Sequence, residues 1–426
     1  MINIVNKKDC CGCSACVQRC PQQCISLYED EEGFLYPKVE VGACIGCGLC
    51  EKVCPVINQY DRRLPLHTYA AVNDNEEIRV KSSSGGVFTL LAEKVIDEGG
   101  VVFGARFDEN WQVTFDYTET KDGLEVFRGS KYVQARIAAT YEQCENFLKS
   151  GRKVLYSGTP CQISGLKHFL RREYDNLLAV DIVCHGVPSP LVWRDYLKKL
   201  TEDPKRVAGK SAVVSPQTKE LEITGISFRD KSAGWKKYRF AVSGIPASKA
   251  GQNHSLISSD DVILQEVHSE NLFMQVFLKD LCLRPSCSSC PAKSGKGGSD
   301  ITIADYWGIS NHHPLWDDDK GTSLILVNTS HGLEYYQRLD ICSEETSYEQ
   351  ALAGNPSMER CVVRTKYADR FWKVFPKKGI IGARDVLDSM KPGYFQRLKN
   401  SVYRILMRVI RIIKLICEEV RCMLKS

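Results

Sequence analysis

Apolar segments of two kinds alternate between residues 65 and 380. Compact apolar runs bounded by turn residues are typical of strands, and apolar positions recurring at three- and four-residue steps are typical of helices. Their alternation predicts an α/β body. Residues 210–265 contain shorter, more polar segments, which we interpret as β-structure or an insertion. The predicted strands fall at 68–72, 100–107, 153–157 and 178–183, and the predicted helices at 87–97 and 163–172.

The first 60 residues have a different pattern and predict a separate small domain. Residues 25–41 read as two short strands around an acidic turn that contains Gly33, which is typical of a hairpin. Residues 61–66 contain a proline and two arginines and read as a linker. We therefore place a domain boundary between residue 60 and residue 65.

The last segment, residues 394–426, predicts a basic amphipathic helix. Two functional interpretations fit it: contact with an anionic membrane surface, or docking to an acidic partner protein. The alternative is a helix that packs on its own domain. Its basic face comprises Arg404, Arg408, Arg411 and Lys414, and its apolar face comprises Leu398, Val402, Ile405, Val409, Ile412, Ile413 and Ile416.

Composition and charge are those of an ordinary globular protein. The chain has 426 residues, of which 43% are hydrophobic and 26% charged, so two or three domains are expected. The net charge is +5, but residues 394–426 alone carry eight basic and two acidic residues. The remaining chain is nearly neutral, which argues against a nucleic-acid-binding body. The sequence also lacks an apolar run long enough to predict a transmembrane helix.

Cysteine is the exceptional component of this chain. Ten of the 20 cysteines fall between Cys10 and Cys54. Dense cysteines indicate either a disulfide framework or metal binding. Because the first residues lack the apolar core of a signal peptide, we expect a cytoplasmic protein, where metal binding is favoured. The tail helix adds the option of peripheral contact with the inner face of the membrane.

Two cysteine runs have the spacing C-x2-C-x2-C-x3-C-P, which is typical of bacterial ferredoxins that bind two 4Fe-4S clusters. In such domains the fourth cysteine of each run ligates the other cluster. Zinc sites use pairs of C-x2-C instead and fit less well. Cys11 and Cys24 fall outside the spacing and are interpreted as spare small apolar residues. The predicted first cluster is bound by Cys10, Cys13, Cys16 and Cys54, and the second by Cys20, Cys44, Cys47 and Cys50.

Four cysteines of the body adjoin turn residues and are candidates for another site. Cys161 and Cys184 each follow a predicted strand, so they would meet at one edge of a sheet. Cys287 and Cys290 form a C-x2-C pair that could complete a four-thiolate site, with Cys282 as a competitor. Buried free cysteines or a zinc site are the alternatives.

Taken in order, several motifs resemble the family of coenzyme F(420) hydrogenase and dehydrogenase beta subunits, in a form with an N-terminal ferredoxin domain. The resemblance covers roughly residues 1–375. On this resemblance, residues 65–155 and 156–380 are the N- and C-terminal parts of one body. The motifs are SSGG at 83–86, RGSKYV at 128–133, GTPCQ at 158–162, CHGVPS at 184–189, LRPSC at 283–287 and SDITIADYWG at 299–308.

The resemblance implies a non-Rossmann α/β flavoprotein body that binds FAD and a third 4Fe-4S cluster. The third cluster would fall on Cys161, Cys184, Cys287 and Cys290. Asp300 and Asp305 would orient the loop or the flavin, or cap a strand end. His185 would relay a proton or have a structural role. The implied flavin contacts are Ser83, Ser84, Gly85, Gly86, Gly129, Ser130 and Lys131.

The expected architecture is therefore mixed α+β and α/β: a ferredoxin-like domain, a larger flavoprotein domain and a C-terminal amphipathic helix. As a function we expect an iron–sulfur flavoprotein enzyme, an oxidoreductase that moves electrons between a protein such as ferredoxin and an unknown small-molecule acceptor. The alternative is a non-catalytic electron-transfer subunit that serves a partner enzyme. A body that has lost its flavin and acts as a scaffold is a third hypothesis.

Overall fold

The computed structural model describes residues 1–214, 221–246 and 262–391. The predicted basic amphipathic helix at 394–426 lies outside these residues, and so does part of the predicted β-rich segment at 210–265. Among the helices that are described, none combines the length and the apolar character needed to cross a membrane.

Strands of the described chain belong to three sheets. The strands are β1 Ile25–Glu29, β2 Leu35–Val39, β3 His67–Val72, β4 Val101–Phe107, β5 Val113–Thr118, β6 Val154–Gly158, β7 Leu177–Ile182, β8 Val213–Val214, β9 Leu221–Asp230, β10 Arg239–Pro246, β11 Val262–Val267, β12 Ile301–Asp305, β13 Ser323–Val327 and β14 Cys342–Glu345.

Helices of the described chain fall between these strands and after the last one. They are α1 Ala15–Gln18, α2 Leu49–Lys52, α3 Glu76–Lys81, α4 Val87–Asp97, α5 Thr140–Lys149, α6 Pro160–Leu170, α7 Pro190–Glu202, α8 Pro204–Val207, α9 Leu272–Leu278, α10 Ser330–Gln337, α11 Tyr348–Gly354, α12 Lys366–Lys378 and α13 Ala383–Met390.

The first 60 residues form the predicted small module, built on one hairpin and two single-turn helices. Strands β1 and β2 pair antiparallel from Ile25 opposite Val39 to Glu29 opposite Leu35. Gly33 occupies the turn at φ 82°, which favours glycine. A Cβ atom there would also lie 2.2 Å from the Leu191 Cβ atom, so the hairpin turn packs tightly on the start of α7.

The body is built on one eight-stranded mixed sheet in the order β14-β3-β13-β12-β7-β6-β4-β5. The central strands β12, β7, β6 and β4 run parallel, and antiparallel strands flank them. Strands from both parts of the body interleave, since β3 lies between β13 and β14. The prediction of a mixed α/β body behind a small ferredoxin-like domain is confirmed.

Helices cover the large sheet on both faces, which explains why its central strands read as continuous apolar runs. Leu155, Leu178 and Val180 face a core formed with α4 and α10. Tyr156 and Ala179 face the opposite core, which α5 and α6 complete. Residues of the small module, including Cys11 and Cys13, belong to this second core. The module is thus packed into the body and is not tethered beside it.

The predicted β-rich segment forms a separate antiparallel sheet in the order β8-β11-β10-β9. Its apolar face packs against α7 and α9 in a core centred on Trp193, Phe228, Phe240 and Phe273. Helices α12 and α13 contribute Phe371, Phe375 and Val386 to the same core.

Candidate metal centres

The four cysteines of the predicted first cluster surround one cavity within the small module. Gly12 at φ 75° and Ser14 at φ 60° curl the loop that carries three of them. The fourth, Cys54, reaches the cavity from the end of the other cysteine run. The lining comprises Cys10, Cys13, Cys16 and Cys54 with the apolar residues Ile2, Ile4, Leu27, Leu35, Pro37 and Val56.

The four cysteines of the predicted second cluster surround a second cavity in the same way. Cys20, Cys44, Cys47 and Cys50 line it, so each cavity combines three cysteines of one run with the fourth of the other. Cys47 is exposed, whereas Cys50 is buried. The arrangement is the one that the spacing predicts, and ligation by these residues stays a prediction.

Both cavities have the chemistry that a cubane cluster requires. Four cysteines border each space, and within the described ranges no group of three His, Cys, Asp or Glu side chains has the geometry of a site for a single ion. The Ile2 amide donates a hydrogen bond to the Cys50 Sγ atom at 3.3 Å. Burial raises the pKa of the Cys16 thiol to about 12, so binding of iron as thiolate displaces a proton.

In the body, Cys161, Cys184, Cys287 and Cys290 line a third cavity. All four side chains are partly buried. Burial raises the pKa of Cys287 to about 12 and that of Cys290 to about 11. The structure therefore brings together the four cysteines predicted for a third cluster. Their sulfur atoms are donors suited to iron, and their burial disfavours the thiolate form in the absence of a metal.

Parallel pairing brings the first two of these cysteines together. Strands β6 and β7 are parallel neighbours, and Cys161 and Cys184 follow their carboxyl ends. Thr159 and Gln162 form a capping box, and Pro160 occupies the first turn, so α6 begins three residues earlier than predicted. Cys161 consequently lies in the first turn of that helix.

The C-x2-C pair reaches the same cavity through an isolated bridge. Pro188 pairs antiparallel with Leu283, and the Arg284 amide donates a hydrogen bond to the Val187 carbonyl at 3.0 Å. This pairing places the segment after Cys184 beside the segment that leads to Cys287. The contact joins residues about one hundred positions apart, which no local pattern predicts.

Cys11 has a role that the sequence did not reveal. Its buried side chain lines both the first-cluster cavity and the body cavity. Interaction with the Cys13 thiol, together with burial, raises the pKa of Cys11 well above its ordinary value, and its other neighbouring thiol is that of Cys161. The interpretation of Cys11 as a spare apolar residue is therefore incomplete. Its place between two predicted ligand cysteines was the only available signal.

Two other cysteines outside the ligand sets lie in different surroundings. Cys282 is fully buried among the aromatic core residues around Phe273 and does not line the body cavity. Cys24 lies in the second-cluster cavity, with its Sγ atom 3.4 Å from that of Cys20. The structure thus sets Cys282 apart from the body cavity and keeps Cys24 near a predicted ligand.

The residues predicted to contact a flavin lie close together. The Ser83 Oγ atom is 2.8 Å from Ser130 Oγ and accepts a hydrogen bond from the Ser130 amide. Ser84 and Gly85 instead bind the start of β13 through Thr322 and Ser323. Gly86 precedes α4 at φ 85°. Part of the SSGG motif therefore fastens α4 to the sheet.

Lys131, the last of the predicted flavin contacts, folds back on its own motif. Its ammonium donates hydrogen bonds to the carbonyls of Arg128, at 3.0 Å, and Gly129, at 3.3 Å. Burial lowers the pKa of Lys131 to about 7. Flavin contact by these residues stays a prediction.

The two aspartates and the histidine of the motifs make protein contacts. Asp300 accepts hydrogen bonds from the Ala179 amide and the Thr329 hydroxyl, which supports the interpretation as a strand-end residue. Asp305 pairs with the buried Arg229 at 2.8 Å. His185 lines the body cavity and lies 2.6 Å from an Asp280 carboxylate oxygen, so its Nε2 atom has a structural partner.

Three family models match the chain. The model for the C-terminal part of the coenzyme F(420) hydrogenase/dehydrogenase beta subunit matches residues 151–349, and the model for its N-terminal part matches residues 68–140. A model of a 4Fe-4S dicluster domain matches residues 9–58.

Curated relatives have low identity to this chain. The F subunit of the F(420)H(2) dehydrogenase from Methanosarcina mazei is 22% identical over 244 residues, which span 53% of this chain and 69% of the relative. Coenzyme F(420)-dependent sulfite reductase of Methanocaldococcus jannaschii is 26% identical over 206 residues, 46% of this chain but only 30% of that protein.

A solved structure of the F(420)-reducing [NiFe] hydrogenase complex from Methanosarcina barkeri contains a chain that is 17% identical. The alignment has a TM-score of 0.40 and covers 76% of this chain and 92% of that one.

These comparisons correct one prediction from the sequence. The expectation of an iron–sulfur, flavin-dependent oxidoreductase enzyme is wrong, because the matching family is described as beta subunits and the M. mazei relative as one of the subunits of a dehydrogenase. The descriptions also name coenzyme F(420) and not FAD.

The iron–sulfur part of the prediction is confirmed at the level of the domain. The dicluster model spans the two cysteine runs, and the two beta-subunit models account for most of the body. This chain therefore belongs to the family of coenzyme F(420) hydrogenase/dehydrogenase beta subunits and carries a 4Fe-4S dicluster domain at its N-terminal end.

Proposed function

We propose that this chain is an iron–sulfur electron-transfer subunit that passes electrons between a surface-bound protein and a partner in an F(420)-related oxidoreductase complex. One observation carries the proposal: three cysteine-lined cavities follow each other from the surface into the body, and Cys11 lines two of them. When bound, 4Fe-4S clusters accept and donate single electrons.

The exposed end of this series is the loop that carries Cys44, Cys47 and Cys50. Cys47 faces solvent, and a Cβ atom at Gly46 or Gly48 would meet no other atom within 4 Å. Ile45 is 64% exposed beside them. An apolar, uncrowded loop over a redox centre suits brief contact with another electron-transfer protein.

The inner end of the series is the body cavity. We assign Cys161, Cys184, Cys287 and Cys290 as the ligands of a third 4Fe-4S cluster. Lys293 supports this site, because its ammonium donates hydrogen bonds to the carbonyls of Cys184 and Ser357. These bonds hold together two chain segments that line the body cavity. The Cys184 carbonyl is thereby held while its thiol stays available.

Iron analysis of the anaerobically reconstituted full chain tests the assignment. Three clusters of four irons predict about twelve irons per chain, and the double variant Cys287→Ala/Cys290→Ala should retain about eight. Cys342→Ser changes an exposed thiol and is the matched control, which should keep about twelve irons.

Two results would contradict the proposal. A measured content of about eight irons in the unaltered chain would show that only two clusters are bound and would rule out the third. Failure of the chemically reduced, fully loaded chain to pass electrons to oxidised ferredoxin would contradict the electron-transfer role.

A further inference from the structure

The side chain of Arg284 lies buried between the first-cluster loop and the body cavity. Its exposed fraction is 1%. The Nε atom donates a hydrogen bond to the Cys10 carbonyl at 2.8 Å, and a terminal nitrogen lies 3.5 Å from Cys10 Sγ. The same side chain lines the body cavity beside Cys161 and Cys287. Arg284 therefore borders both predicted cluster sites.

The other partners of this guanidinium are uncharged. It donates hydrogen bonds to the Gln134 side-chain oxygen at 3.0 Å and to the Leu35 carbonyl at 2.9 Å. The rings of Phe34 and Tyr36 lie 5.4 and 4.4 Å from it. None of its hydrogen-bond acceptors in the described part of the chain is a carboxylate.

A buried cation without a counter-charge is strongly unfavourable. The negative charge that is available next to Arg284 is that of cysteine thiolates, and a thiolate-bound cluster is anionic as a whole. The partners of Arg284 thus fit a cation whose counter-charges are the clusters on either side of it.

We propose that Arg284 joins the module to the body and raises the reduction potentials of the two clusters that flank it. Each reduction adds one negative charge, and a nearby cation in a medium of low dielectric constant stabilises the reduced form. This inference rests on the proposed function, since it requires iron–sulfur clusters in both cavities. Arg284 contacts Cys10 of the first-cluster set, whereas none of its hydrogen bonds in the described part of the chain reaches a cysteine of the second-cluster set, so the second cluster provides an internal reference.

Redox titration of the reconstituted full chain, followed by electron paramagnetic resonance, tests the proposal. Arg284→Met should lower the equilibrium constant for reduction of the first and body clusters by at least about tenfold. This change corresponds to a reduction potential that is about 59 mV lower for a one-electron couple. The reduction potential of the second cluster should be unchanged. Arg284→Lys keeps the charge and should restore most of the loss.

Two control variants separate the charge from the docking contacts. Arg19 also joins the module to the body, but it pairs with Glu145 at 3.2 Å, so Arg19→Met should leave the potentials unchanged. Gln134→Met removes an uncharged hydrogen-bond partner of Arg284 and should likewise leave them unchanged. If Arg284→Met binds less iron, Arg284→Gln serves as a second neutral variant with hydrogen-bonding capacity.

The outcomes distinguish this inference from the proposed function. A wild-type chain that binds no iron contradicts the proposed function. A fully loaded neutral variant with wild-type potentials contradicts the role of Arg284 alone. An equal shift in Arg19→Met would also overturn that role, because the effect would then follow from loosened docking.

Discussion

At the scale of single residues, Cys11 shows how packing and ligation differ within one loop. Its neighbours Cys10 and Cys13 have the ferredoxin spacing, whereas Cys11 does not. Its side chain is buried between the Cys13 and Cys161 thiols. We therefore assign Cys11 to the contact between the two cavities, since each predicted set of four ligands does not include it.

The variant Cys11→Ala tests that assignment. It should keep about twelve irons, because the predicted ligands remain. Its free energy of unfolding should fall by about 1 kcal/mol, since one buried sulfur atom is lost. Iron analysis and anaerobic denaturant unfolding measure the two effects, and loss of about four irons would show that Cys11 is a ligand.

At the scale of elements, helix α6 connects the module with the body. It carries Cys161 in its first turn and Gly165 one turn later. A Cβ atom at Gly165 would lie 2.7 Å from the Cys13 Cβ atom and 2.9 Å from the Tyr141 hydroxyl. The missing side chain is what lets the first-cluster loop lie directly on this helix.

Replacing Gly165 with alanine should therefore destabilise the chain although alanine favours helices. We expect Gly165→Ala to lower the free energy of unfolding by about 1–3 kcal/mol through overpacking against the module. Gly42→Ala is the matched control, because a Cβ atom at Gly42 meets nothing within 4 Å, and its effect should stay within about 0.5 kcal/mol. Equal stability of both variants in denaturant unfolding would contradict the close contact.

At the scale of the whole molecule, cysteine-lined cavities extend from the exposed second-cluster loop to the body. The module is held on the body by interlocking contacts, which include the ion pair between Arg364 and Glu32 at 2.8 Å. The Ser189 hydroxyl also donates a hydrogen bond to the Glu32 carbonyl at 2.5 Å. The module and body cavities should therefore keep a fixed spacing.

The exposed loop should control exchange with protein partners and not with small molecules. Ile45→Glu should slow electron exchange with oxidised ferredoxin by roughly tenfold, which equals about 1.4 kcal/mol of lost contact free energy. The rate with a small viologen dye should stay the same. Stopped-flow absorbance measures both rates. Leu315→Glu, at a residue that is 97% exposed in the body, is the control, and an equal effect of the two variants would contradict docking at this loop.

The sequence by itself determined the local features of this protein. Cysteine spacing predicted which cysteines share a cavity in the module, because a tight loop leaves little freedom to place three thiols. Apolar patterns predicted α4 at Val87–Asp97 and three of the four central strands, β4, β6 and β7, to within one residue, because a sheet buried on both faces requires continuous apolar runs. The fourth central strand, β12, was not predicted. The order of motifs identified the family.

Only the tertiary structure decided which distant residues meet. The bridge between Pro188 and Leu283 brings Cys287 close to Cys161 and Cys184. Cys282 instead packs in the aromatic core of the body. The module likewise packs its Cys11 and Cys13 against α6, and Arg284 enters between the two cavities. These contacts depend on the complementary shape of surfaces that are far apart in the chain, and neither spacing nor periodicity records such shape.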